Sequence, residues 1–215
     1  MKLATNLLIN QMTIPRISVV IPIHDMPNAD YFLGRVQNSL EEQSLEDFEI
    51  IVANNGTGMA NNTNAGIKDA RGELVKILFM DDYLAHYNSL KEISENFTET
   101  DEWLVTGCVH TENDETFFNP HFPAYTDGIS QGINTIGSPS VLTFRNHFED
   151  NILFDEQMTW VLDCDLYRRM FDKYGLPKVL NTLNVVIGVG THQTTHILKE
   201  DYKAQETNYL IEKYK

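Results

Sequence analysis

Residues 75–87 read VKILFMDDYLAHY: a largely apolar run stops abruptly on two adjacent carboxylates, Asp81 and Asp82. The run up to Met80 has the composition of a strand buried on both faces. Paired acids at the end of such a strand have two explanations. An acidic residue after a strand can solvate the loop or cap the next helix. Alternatively, like charges held side by side are costly unless a cation shares them, and hard divalent ions prefer oxygen ligands. The surrounding chain has to decide.

Upstream, RISVVIPI (16–23) is a β-branched run ended by Pro22 and reads as a central parallel strand. NADYFLGRVQNSLEEQ (28–43) follows with Phe32, Leu33, Val36 and Leu40 at helical spacing. FEIIVANNG (48–56) is a second strand, NNTNAGIKDARGE (61–73) a short helix stopped near Gly72, and LVKILFM (74–80) the third strand. AHYNSLKEISENF (85–97) is the next helix. Strand, helix, strand, helix, strand predicts a right-handed parallel α/β unit, whose ligands sit at the carboxyl ends of the strands. Those ends carry His24-Asp25, Asn54-Asn55 and Asp81-Asp82.

The second half is less regular. EWLVTGCVH (102–110) and SPSVLTFRN (138–146) are strand candidates, joined by a stretch rich in Phe, Pro, Asn and Gly. MTWVLDCDLYRRMFDKYG (158–175) reads as an amphipathic helix ended by Gly175, KVLNTLNVVIGV (178–189) as a last strand, and residues 199–215 as a polar closing helix.

With 215 residues, 42% hydrophobic and 22% charged, the composition is that of one folded domain. A net charge of −15 repels phosphate backbones and argues against a nucleic-acid binder. Any anionic ligand must then be met locally, by a cation, a metal ion or backbone N–H groups. Two cysteines, Cys108 and Cys164, without metal-ligand spacing suggest neither a disulfide framework nor a zinc site. The opening MKLATNLLINQM has too short an apolar run for a signal peptide or membrane span, so no transmembrane segment and a cytoplasmic location are expected.

ISVVIPIHD, NSLEEQSLEDFEIIVANNG, NAGIKDARGE and ILFMDDYL together resemble, in order and spacing, the inverting glycosyltransferases of family 2. The resemblance implies a single GT-A, Rossmann-like α/β domain with a mostly parallel central sheet flanked by helices. Residues 1–100 would form the nucleotide-sugar half, 101–200 the acceptor half and 201–215 a C-terminal helix, and the resemblance is compatible with the whole being one domain of a longer multidomain transferase. It implies transfer of a sugar from a nucleotide diphosphate donor to a hydroxyl of a glycan, lipid or protein acceptor, with inversion. A Mn2+ or Mg2+ ion bridging carboxylate and phosphates would reconcile that donor with so acidic a chain.

The same resemblance assigns residues. Asp82 is expected to bind the ion, with Asp81 on the ribose or a metal-bound water, and His192 of GTHQTTH, rather than His196, completing the metal shell. Pro22, Ile23, His24, Asp25, Asn54, Asn55, Asn64, Asp81, Gly137 and Ser138 fall where the family meets its nucleotide sugar. His24 would stack on the base, and Asp25 would bind ribose or cap a helix. Asn54-Asn55 replace the family's Asp-Asp; an Asn carbonyl can still accept the uracil N3–H, which keeps UDP- or dTDP-sugars favoured. A further family acid before Asp81 is absent, since Leu78, Phe79 and Met80 stand there.

Inversion needs a general base on the acceptor hydroxyl. In TWVLDCDLYRRM the residue matching the family's base is Asp163; Asp165 lies about 200° away around a helix and cannot face the same site. The plain alternative for Asp163 is a helix N-terminal charge favoured by the dipole. Trp103 and Trp160 read as core, and Lys199 and Lys203 as solvated bystanders. Two rival functions remain: a sugar nucleotidyltransferase, for which PIHDMPNAD lacks the glycine-rich basic phosphate loop, and a non-catalytic module of the same fold.

Overall fold

Ile17, Val19, Val20 and Ile21 are fully buried, so β1 (Ile17–Pro22) is the two-faced central strand its composition predicts. Each such side chain contributes about 1.5–3 kcal/mol by leaving water. This computed structural model describes residues 14–56 and 58–215; the reading of the first twelve residues lies outside the described residues. Strand β1 pairs in parallel with β2 (Phe48–Ala53) and β3 (Leu74–Ile77), Val20 lying opposite Ile51 on one side and Ile77 on the other. Helices α1 (Ala29–Glu41) and α2 (Met59–Asp69) make the connections. A Cβ on Gly66 of α2 would overlap the Val20 side chain, which is how closely that helix lies on the sheet.

Beyond β3 the chain forms β4 (Tyr83–Leu84), α3 (Ser89–Asn96), β5 (Trp103–Thr111), β6 (Phe117–His121), β7 (Leu142–Arg145), α4 (Leu162–Tyr174), β8 (Lys178–Gly188), α5 (Thr194–Ile197) and α6 (Glu200–Lys213). The strand order is β2-β1-β3-β7-β5-β8-β4, with β6 on β5. The protein is thus a single α/β domain whose mixed sheet is flanked by helices. The parallel pairing expected from the sequence describes β2-β1-β3 and β5-β8. Strand β7 enters antiparallel between β3 and β5, and β4 is antiparallel to β8.

Several boundaries differ from the sequence reading. The third strand ends at Ile77 rather than Met80, because a turn closed by the Asp82 N–H on the Phe79 carbonyl (3.0 Å) redirects the chain into β4. The fourth helix starts at Leu162, four residues later than its apolar pattern begins, and β6 arises in the Phe-rich connection where no strand was predicted. Trp103 is core as expected, 1% exposed, its indole N–H donating to the Gly175 carbonyl at 3.0 Å. Among the described residues no helix is long and apolar enough to cross a membrane.

Asp165, fully buried on α4, fastens α6. Its Oδ1 lies 2.7 Å from Lys213 Nζ and accepts from the Tyr214 hydroxyl at 2.6 Å, while Oδ2 lies 2.6 Å from the Arg169 guanidinium. Asp165→Ala would remove the shared partner of Arg169, Lys213 and Tyr214, Lys213 keeping Asp155 at 2.8 Å, and the expected loss is about 1.5–3 kcal/mol of stability, read from the urea unfolding midpoint. A loss below about 1 kcal/mol, the scale of an exposed ion pair, would contradict this role.

Candidate active site

The carboxyl ends of β1 and β3, the loop before β7, the start of α4 and the segment after β8 surround a cleft of about 320 Å3. Its lining includes Phe79, Asp81, Asp82, Ile187 and His192, together with Asn134, Trp160 and Asp163, and His24, Met59 and Ser138.

The Phe79–Asp82 turn drives Asp82 inward until it is 2% exposed. Its Oδ1 accepts the Gly188 N–H (3.0 Å), and its Oδ2 accepts the Ser138 hydroxyl (3.1 Å). Only glycine fits at position 188, since a Cβ there would overlap the Asp81 carbonyl oxygen. Burial first, and then the neighbouring Asp81 charge, push the Asp82 carboxyl well above the usual carboxylate range. Asp81 stays closer to solvent, its Oδ2 lying 3.2 Å from His192 Nε2, whose ring is tilted against Phe32 at 4.6 Å. Behind the pair, Arg35 donates to the Asp81 carbonyl and to Asp114 Oδ1 (2.6 Å), with its guanidinium 4.8 Å from the Tyr83 ring.

Below Asp82, Lys76 of β3 is fully buried and donates to the Ser140 carbonyl; burial lowers its pKa to about 7. That bond pins the Ser138–Val141 segment against the end of β3, and the Ser140 hydroxyl accepts the Phe79 N–H at 2.9 Å.

Asp163, also in the lining, lies in the first turn of α4. Its Oδ1 accepts the Cys164 N–H (2.7 Å), and its Oδ2 accepts the Asn134 amide (2.6 Å). Asn134 also bonds Gly137 in both directions, at 2.9 Å each, so one side chain fixes both the acidic residue and the loop leading to Ser138. Burial raises the Asp163 carboxyl from 3.8 to about 6, against the lowering effect of those hydrogen bonds.

Of the expected site residues, the fold brings His24, Asp81, Asp82, Ser138, Asp163 and His192 to the cleft lining. His196 is exposed at the end of α5. Gly137 stands at φ 117 just behind Ser138, its carbonyl held by Tyr167 at 3.1 Å. Pro22 is buried as the last residue of β1, and Ile23 donates to Ala53 (2.9 Å) rather than into the cleft. Asp25, Asn54 and Asn55 are exposed outside the lining, and Asp25 does not cap α1, whose N-cap is Asn28. Asn64 is corrected outright: it is buried, and its amide is spent on the Phe154 backbone (3.0 and 2.8 Å) and on Glu156 (3.1 Å), so it anchors a segment instead of meeting a ligand. Trp160, read as core, packs on the core and also lines the cleft, under the Lys203 ammonium at 4.8 Å. Asn134, Asn62 and Lys76 were not anticipated. Asn62 ties the ends of β1 and β2 together, donating to the Ile23 carbonyl (2.7 Å) and accepting from the Asn55 N–H (2.8 Å).

Among the described residues no three His, Cys, Asp or Glu side chains converge closely enough to hold an ion unaided. The donor set still fits a hard divalent cation. Mg2+-like ions are commonly bound through one or two carboxylates and complete their shell with phosphate oxygens and water. A like-charged carboxylate pair, one member buried, is the arrangement such an ion relieves.

The fold is the GT-A fold of glycosyltransferases. S. aureus TarS 1-349 in complex with UDP-GlcNAc superimposes with a TM-score of 0.70 at 17% identity, covering 91% of this chain and 65% of that one. The longer S. aureus TarS structure gives 0.63 at 16% identity, and this chain spans 43% of its length. A mannosyltransferase, PcManGT of Pyrobaculum calidifontis, solved with GDP-Man and Mn2+, gives 0.57 at 14% identity over 83% of this chain and 58% of that one. In sequence the chain is related to the uncharacterized glycosyltransferase EpsJ of Bacillus subtilis (strain 168), at 24% identity over 244 aligned residues that cover 94% of this chain and 68% of EpsJ. No family model matches the chain.

The raised Asp163 carboxyl has a testable consequence. From about pH 4 to about 6 the unfolded chain has released this proton while the folded state retains it, so this residue's contribution lowers stability as pH rises through that window, and the loss is complete above about 6. Comparing urea midpoints of wild type and Asp163→Asn across pH 4–7 should show a steeper decline in wild type than in the variant, which keeps only the contributions of other groups such as Asp82. Parallel curves for the two proteins would contradict a raised Asp163 carboxyl.

Proposed function

We propose that this protein is a metal-dependent inverting glycosyltransferase of family 2, moving one sugar from a UDP- or dTDP-type donor to a hydroxyl of a glycan, lipid or protein acceptor. The observation that carries the reading is one cleft lined by Asp81, Asp82 and His192 together with Asp163. Inversion requires the attacking oxygen and the leaving diphosphate on opposite faces of the anomeric carbon, so a base distinct from the diphosphate site but within the same cleft suits it. The likeness to a solved UDP-GlcNAc complex supports the donor class, and the relation to EpsJ supports a glycosyltransferase.

Asp81, Asp82 and His192 would hold the divalent ion, which when bound neutralises charge on the departing diphosphate. Ser138 and the Gly188 N–H keep Asp82 aimed at that position from below. His24, which lines the cleft just beyond β1, would stack on the base, and Asn54 and Asn55 follow the end of the neighbouring strand. The acceptor hydroxyl gives its proton to Asp163 as its oxygen bonds the anomeric carbon, and the electron pair of the broken glycosyl–phosphate bond leaves on the diphosphate. A carboxyl titrating near 6 is ionised at neutral pH yet basic enough to take that proton. Asn134 and the Cys164 N–H fix the orientation of both oxygens before the acceptor arrives.

A binding module of the same fold is the second reading, favoured by the apolar residues where the family has a further acid and by Asn54-Asn55. Asp163→Asn separates the two. With Mn2+ and a panel of UDP-, dTDP- and GDP-sugars, the variant should bind the wild type's donor normally while transfer falls by about 10²–10⁴. Transfer at the wild-type rate would remove Asp163 from the chemistry, and wild-type binding without turnover of any donor would favour the module.

A further inference from the structure

Glu206 of α6 is a buried carboxylate, 7% exposed, that the proposed chemistry does not use. Its Oε1 accepts three consecutive backbone N–H groups, from Thr159 (2.9 Å), Trp160 (2.6 Å) and Val161 (2.9 Å). Successive N–H groups converging on one point form an anion-binding nest, here filled by the chain's own carboxylate. Its second oxygen, Oε2, is buried and has no hydrogen-bond partner among the described residues. The whole attachment of this acid therefore runs through main-chain dipoles of one turn.

That turn is a wall of the cleft. Thr159, Trp160 and Val161 all line it, and Val161 is the residue from which α4 starts, its carbonyl accepting the Asp165 N–H at 3.0 Å. Two residues on stands Asp163. The same helix supports the opposite lip: Lys203 covers the Trp160 ring at 4.8 Å and donates to the Thr195 carbonyl at 2.8 Å. We infer that Glu206 is a positioning residue, whose carboxylate in the Thr159–Val161 nest sets where Trp160 and Asp163 stand in the cleft. The activity part of this inference rests on the transferase reading above; the geometric part does not. Three N–H groups deprived of their acceptor, the Val161 one buried, must find water or another partner, and the turn carrying them has to move to do so.

Glu206→Gln keeps one carbonyl oxygen for the nest without the charge, Glu206→Ala empties it, and Glu212→Gln on the exposed side of the same helix is the control. The first readout needs no ligand. Trp103 is 1% exposed and out of reach of acrylamide, so quenchable tryptophan fluorescence reports Trp160. Quenching should rise from wild type and the control, through the Gln variant, to the Ala variant. The second readout is UDP release from UDP-GlcNAc with Mn2+. The Ala variant should lose about 10- to 100-fold in kcat, the cost of a misplaced catalytic group, with KM for UDP-GlcNAc within about twofold. Added formate should restore part of kcat by refilling the nest.

A folded Glu206→Ala protein with wild-type quenching and wild-type kcat would overturn the inference, as would a change confined to KM. Should circular dichroism show that the Ala variant does not fold, the Gln variant decides by the same two readouts. If wild type releases no UDP while Glu206→Ala unshields Trp160, the transferase reading fails and the positioning of the turn stands.

Discussion

Asp82 is an ionisable carboxyl placed where water scarcely reaches, and the rest of the site is arranged around making that tolerable. A buried carboxylate costs heavily unless hydrogen-bonded or paired. Here its two oxygens take donors from chain segments far apart in sequence, Ser138 before β7 and Gly188 at the end of β8. Because β7 and β8 lie on either side of β5, those two bonds draw the second half of the sheet onto the end of β3. The carboxylate is therefore a fastening between the two halves of the domain as well as a candidate ligand.

The neighbours of Asp82 share that dual character. Lys76 places a second buried ionisable group one layer down and spends its donor on Ser140, in the same loop that supplies Ser138. Arg35 grips the Asp81 carbonyl from behind while Asp114 and the ring of Tyr83 hold the guanidinium. In the same cleft, Asn134 and the first turn of α4 do the equivalent for Asp163. Both acidic groups are thus held by fixed hydrogen bonds before any ligand arrives, which is what transition-state stabilisation without reorganisation asks of a site.

What the sequence revealed, and what it hid, follows from the range of the interactions. Strand β1, its parallel neighbours and the placement of Asp81-Asp82 at a strand end rest on local apolar patterning and turn chemistry, and they were legible. The antiparallel entry of β7 depends on pairing Lys76 with Thr143, residues far apart in sequence, which no local pattern encodes. Asn64 looked like a ligand contact because its motif is recognisable, yet its partner is Phe154, ninety residues on. Asn134 gave no sequence signal, being one asparagine in a loop rich in them. Lys76 did give one, since a lysine inside an apolar strand is anomalous, though only the fold shows what it holds. Residues 199–215 read as a polar helix, and their inward-facing Lys203, Glu206 and Lys213 became visible only once α6 was seen against α4.

The central claim is that the Asp81-Asp82 mouth accepts a diphosphate through a shared divalent ion. Calorimetric titration of UDP into the protein, with Mn2+ and again with EDTA, tests it most directly when repeated on Asp82→Ala. The account predicts UDP binding that requires Mn2+ and disappears in both the EDTA and the Asp82→Ala experiments. Equal affinity in EDTA, or unchanged Mn2+-dependent binding to Asp82→Ala, would contradict it.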